Sequence, residues 1–243
     1  MTEYGRYSQH ELLDRLRRAR ALEEDVLREV ALPNASLAEV RVHDSTLTNC
    51  DLSQADLERS WWHGTLSRGV KLRGARLPDA SVERCRFVGT DLIECNLEGA
   101  SLFSTDFEGS SLANARMQGV RLMGGRFIST DLYGARMPLA VLMHVRFSDP
   151  QLGNASLLRV DLRRAVIMDC DLQDANLREA NLEGALLMNV DLSGANLAGA
   201  NLQGCDLLNV KLFDANLEGA VLRGGRHAGT SFAKASTAGA VWD

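Results

Sequence analysis

The chain has 243 residues, a formal net charge of −5 and a pI of about 5.6. This acidic balance argues against a nucleic-acid binder, whose surface is normally basic. No run approaches the roughly eighteen apolar residues of a membrane span, and no apolar segment follows a basic start as in a secretory signal. The cytoplasm is therefore the expected location, with leaderless export left open.

Residues 1–8 are polar. Ser8 and Glu11 form an S-x-x-E capping box, a helix start, and Leu12, Leu13, Leu16 and Ala19 come next at helical spacing among Arg15, Arg17, Arg18 and Arg20. The spacing predicts a helix over 9–20. Leu22, Leu27 and Leu32 already share the phase of the long repeat that starts at Ala35, but two of their neighbours at the inward slot, Arg20 and Asp25, are poor wall residues. Segment 21–34 stays ambiguous on this reading, and 1–34 is taken as a helical cap or docking segment.

From Ala35 a five-residue beat runs to residue 232. Stepping by five from Leu37 to Phe232 gives 40 centres, of which 38 are Leu, Phe, Met, Ile, Val or Trp; only Ser67 and His227 depart. Two residues before each centre stands Ala, Val, Ser, Thr, Cys or Gly in 39 of 40 cases, Pro150 being the exception. Such a unit cannot bury its apolar residue alone and must stack on copies of itself. All five cysteines (Cys50, Cys85, Cys95, Cys170 and Cys205) fall in the small inward slot. They read as wall filler rather than metal ligands.

The units ANLRE, ANLEG, VDLSG, ANLAG and ANLQG between Ala175 and Gly204 carry a pattern, A-[DN]-L-x-x, that resembles the pentapeptide-repeat family over about four fifths of the chain. The resemblance implies an all-β solenoid, a right-handed quadrilateral β-helix with four pentapeptides per coil, here about ten coils with a short N-terminal α-helix as cap. Two columns support a twenty-residue coil independently. Phe87, Phe107, Phe127 and Phe147 are twenty apart, and so is the leucine series from Leu52 to Leu212. At ~4.8 Å per coil the rod would be roughly 48 Å long.

On this frame the surface can be assigned. Trp61, Trp62 and Ser67 make the early coils irregular and predict a bulge near Ser67. Arg76, Arg86, Arg116, Arg121, Arg126, Arg136 and Arg146 point outward, either solvated or as a basic girdle. Outward slots along the phenylalanine face turn apolar at Val166, Met168, Leu186, Met188 and Leu208, with Phe213 around the corner. An apolar stripe of this kind marks a contact with a protein partner, a second copy of the chain, or cover by the C-terminal segment. The leucine-column face is the most acidic, with Asp51, Asp91, Glu94, Asp131, Asp171, Asp174, Asp191 and Asp214 against Lys71, Arg73, Lys211 and Lys234. Beyond residue 232 the beat fades, and 233–243 is read as a capping tail closed by Trp242.

No catalytic constellation appears: there is no phosphate loop, no G-x-S-x-G and no H-E-x-x-H. His43 and His63 are twenty apart and stack in this frame, but no third histidine column joins them, so no metal and no cofactor are expected. Two functions remain. One is a non-enzymatic protein-protein interaction scaffold, with no direct nucleic-acid or membrane contact. The other is implied by the resemblance: some members mimic DNA, bind DNA gyrase or topoisomerase IV, and protect the enzyme from topoisomerase poisons.

Overall fold

The structure, a computed structural model, describes residues 9–243. The capping residue Ser8 lies outside the described residues. Helix α1 spans Gln9–Ala19 and is followed at once by strand β1, Ala21–Glu23, and β2, Val26–Arg28. Every pairing is parallel and joins residues twenty apart, as in Phe107↔Phe127 and Met168↔Met188. Two faces carry three-residue strands, in sheets of five and ten. The other two are single-bridge ladders, such as Asp51↔Lys71↔Asp91. The product is a four-sided parallel β-solenoid with one short helix at its start.

The five-residue unit explains the geometry. The centre and the small residue two before it both point inward and are buried along the rod. Two residues past each centre the chain turns a corner in the left-handed region, at Asn154 (φ 56°) and Gly184 (φ 65°) for example, which is why Asn, Asp and Gly recur there. At Gly125 the chain needs glycine for another reason: an added Cβ would collide with the Thr105 carbonyl oxygen.

Polar inward residues are accommodated by bonding across coils. Thr105, Ser110 and Thr130 donate to the carbonyls of Val82, Phe87 and Phe107 at 2.9, 3.1 and 3.0 Å. The four phenylalanines stack at 5.0–5.2 Å between centroids. All five cysteines are free and buried. Burial pushes the thiols of Cys85, Cys95 and Cys205 up to about 12, so they stay protonated and inert.

Three expectations are corrected. The coil begins at Ala21 rather than Ala35, because Ala21–Glu23 already pairs with Arg41–His43. Asp25 fits the inward slot because Arg15 of the helix reaches its carboxylate at 3.0 Å and the Glu23 amide donates to it at 3.1 Å. The Asp25 amide itself donates to Ser45 Oγ at 3.2 Å. At the other end, residues 233–243 form part of the ladder (Asn216↔Ser236, Val221↔Val241) rather than a separate tail. His227, Phe232 and Trp242 meet edge-to-face at 5.2–5.8 Å to close that end.

The third correction concerns Ser67. No bulge forms, since Ser67 pairs in register with Leu47 and Phe87. Trp62 takes up the space instead. Its ring sits 6.5 Å from Phe87, the residue stacked on Ser67, and its indole N–H donates to Ser60 Oγ at 2.9 Å. A large centre on one face thus compensates a small one on the next. The Ser67 hydroxyl is buried without a hydrogen-bond partner, a state that costs about 1–3 kcal/mol. Ser67→Ala should therefore stabilise the protein by about 1 kcal/mol in urea denaturation, and a loss of stability would show that the hydroxyl is satisfied in solution.

Candidate interaction surfaces

The phenylalanine face gathers the apolar stripe as the spacing predicts. Strands Val166–Met168, Leu186–Met188 and Asp206–Leu208 pair in succession. This places Val166 beside Leu186 in one outward column, and Met168, Met188 and Leu208 in another. Each is half-buried by its column neighbours, while Phe213 is 45% exposed under the ammonium of Lys234, 4.9 Å from its ring. The C-terminal segment climbs the axis as further coil, Lys211↔Ser231 and Val221↔Val241. It therefore does not fold back over the stripe.

The stripe also extends further than column arithmetic along one face suggests. Phe103 and Met123, 50% and 42% exposed, share with Met143 the outward column of the adjacent face at the edge nearest the stripe. Leu139 is a further exposed apolar residue, held at a left-handed corner (φ 60°) that elsewhere takes polar residues or glycine. The twenty-residue spacing of Phe103, Met123 and Met143 was the signal for this extension.

On the leucine-column face the acidic residues divide by role. Asp51, Asp91, Asp131, Asp171 and Asp191 each accept a hydrogen bond from the backbone N–H two residues on, at 2.9–3.1 Å. Glu94, Asp174 and Asp214 occupy left-handed corners (φ 59°, 57° and 60°). Hydrogen bonds from Ser53 hold the Asp51 carboxyl below its ordinary range. Desolvation opposes the same effect at Asp191, but Ser193 and Lys211 prevail. The charges are real but interleaved with cations: Arg73 meets Asp91 at 3.2 Å and Lys211 meets Asp191 at 3.1 Å.

The arginines divide too. Arg76, Arg86, Arg116 and Arg126 pair with Glu58, Glu108, Glu98 and Asp106 of neighbouring coils. Arg121, Arg136 and Arg146 form no ion pair among the described residues. No continuous basic girdle results.

The early coils hold an arrangement that column arithmetic misses. His43, Trp61 and His63 stack mutually, with centroids 5.4–5.7 Å apart and planes within 17°. A third donor comes from a corner rather than a column: ligand atoms of His43, Asp44 and His63 all lie within 4.8 Å of one another. Asp44 sits at φ 45°, and its carboxylate occupies the space over Gly64 where a side chain would otherwise be. Glu83 faces His63 Nδ1 at 3.5 Å, too far for a good hydrogen bond, and that buried nitrogen has no hydrogen-bond partner.

Fold and surface together define a solenoid repeat protein that presents ordered side-chain columns on flat faces. No helix among the described residues is long and apolar enough to cross a membrane. The profile described as pentapeptide repeats matches eight copies, over residues 26–60, 68–102, 100–137, 140–184, 170–209 and 191–226. The chain belongs to the pentapeptide-repeat family, whose members are generally structural or interaction proteins rather than enzymes.

Among solved structures it is similar to HetL from the cyanobacterium Nostoc, a pentapeptide-repeat protein involved in regulating heterocyst differentiation. The identity is 26%, with 93% of each chain covered and a TM-score of 0.44. QnrB1, a plasmid-mediated fluoroquinolone resistance protein, is 16% identical, with 92% of this chain and 93% of that one covered and a TM-score of 0.28. Rfr23 from the cyanobacterium Cyanothece is 18% identical over 97% of this chain and 100% of its own, with a TM-score of 0.15. No curated protein matches the sequence.

Proposed function

We propose that the rod is a protein-protein interaction scaffold and that the stripe of Val166, Met168, Leu186, Met188 and Leu208 is its contact face. The observation that carries this reading is the outward turn of five apolar side chains in successive strands of one flat sheet. Flat, regular parallel strands bring these side chains to a common height, so a partner can desolvate them together. Apolar groups so placed contribute when water is excluded from a contiguous patch.

A photoreactive side chain at position 188 tests the proposal. It should crosslink to protein, either a second copy or another chain, whereas the same group at exposed Arg178 on the opposite face should not. Equal products from both positions, or none from 188, would overturn the contact-face assignment.

A second reading, protection of a type II topoisomerase, draws on the acidic column, whose carboxylates accept hydrogen bonds from backbone N–H groups. Charge density counts against it. A duplex carries one negative charge per ≈1.7 Å, about three per ~4.8 Å coil, whereas the whole chain carries a net −5. Gyrase supercoiling in the presence of a fluoroquinolone-type poison separates the two. Rescue by this protein, lost in Asp171→Asn with Asp191→Asn, would put the topoisomerase reading first.

A further inference from the structure

We propose that His43, Asp44 and His63 form a divalent transition-metal site of the zinc type that staples successive N-terminal coils together. The three donors already lie within 4.8 Å of one another, and His43 Nε2 stands 3.5 Å from Asp44 Oδ2. In a tetrahedral site with bonds of about 2.0–2.2 Å, donors are roughly 3.3–3.6 Å apart. Small rotations of side chains at the surface would close the remaining gap.

The donor set suits the ion. Imidazoles favour zinc, copper and nickel, and a single carboxylate adds charge without the all-oxygen shell that calcium or magnesium requires. The surroundings restrict the imidazoles. Trp61 stacks on both, at 5.7 and 5.5 Å between centroids, which limits their rotation and lowers the ordering cost of binding. Glu83 stands 3.5 Å from His63 Nδ1 in the next coil. It is the carboxylate that would fix the ring's orientation as an outer partner, an arrangement common to metal-bound histidines.

The location gives the site a task. His43 and Asp44 belong to one coil, His63 to the next and Glu83 to a third, and their strands are paired neighbours. These coils include the one that carries Ser67 at a core centre, and they follow directly on the first coil, which starts at Ala21 after the capping helix. An ion bound there would tie three consecutive coils by ligand bonds and an outer hydrogen bond, where the wall is least regular. Ligands that bind only the folded state raise its stability.

The test is titration of the full chain with zinc chloride, followed by calorimetry and by thermal melting, with cobalt(II) as a spectroscopic substitute. One ion should bind per chain, the melting temperature should rise, and cobalt should give the intense visible bands of a tetrahedral site. His43→Gln with His63→Gln should abolish all three responses, and Asp44→Asn should weaken binding at least about tenfold. Glu83→Gln, a positioning change, should weaken it by about tenfold while leaving the cobalt bands in place. His144→Gln, at a distant exposed histidine, should change nothing. No heat and no cobalt band at about millimolar metal would overturn the proposal, as would undiminished binding in the double histidine variant. Circular dichroism of each variant distinguishes loss of the site from loss of the fold.

Discussion

Phe127→Ala should cost about 3–5 kcal/mol of stability, the range for emptying a large buried aromatic site. Phe127 is fully buried and stacks on Phe107 at 5.2 Å and on Phe147 at 5.0 Å, so its removal breaks two ring contacts as well as leaving a cavity. A solenoid has little means of collapsing around such a hole. Each coil is held by its two neighbours, and the hydrogen-bond ladders keep the coil spacing fixed. Hydrogen exchange should therefore quicken first in the coils from Phe107 to Phe147, with the coils beyond Leu187 affected less. Urea denaturation measures the total. A loss below about 1 kcal/mol would mean that the column is a packing convenience rather than a structural spine.

Arg15→Ala should destabilise the cap by roughly 2–3 kcal/mol. Removing one member of a buried ion pair typically costs about 3–5 kcal/mol, and the figure is reduced here because the Arg15 side chain is 30% exposed whereas that of Asp25 is 10% exposed. The physical cause is the stranded carboxylate of Asp25, left in an inward slot with a backbone donor alone. Adding Asp25→Ala to the Arg15→Ala chain should recover much of the loss, and the double-mutant cycle checks it. If the two substitutions prove additive, the salt bridge is not what admits an aspartate to the wall. Leu12 and Leu16, both buried, then carry the helix docking by themselves.

The core was legible in the sequence because the repeat period and the coil period are commensurate: five-residue units on four faces return every twenty residues. A one-dimensional count of centres is then also a map of which residues stack. That is why the phenylalanine column, the apolar stripe from Val166 to Leu208 and the burial of all five cysteines could be read from spacing alone. The count places residues in columns and says nothing of how columns compensate one another. Trp62 against Phe87 is a contact between faces, and the approach of Asp44 to the His43 and His63 pair is one between a corner and a column. Both depend on side-chain direction and size.

The ends show the same division. In phase, Leu22 and Leu27 already belonged to the coil, but Asp25 between them looked disqualifying, because its partner Arg15 lies on a helix outside the repeat. Likewise His227 read as a lost beat and the beat faded beyond residue 232, yet the backbone ladder continues to Val241, since strand bonding depends on main-chain groups that any residue supplies. Local periodicity by itself determined the fold, its register and its inward faces, because each unit is stable only when stacked on its own kind. Only the tertiary structure decided where the rod begins and ends, which charges neutralise each other and which donors converge, because those depend on contacts between residues the five-residue period does not relate.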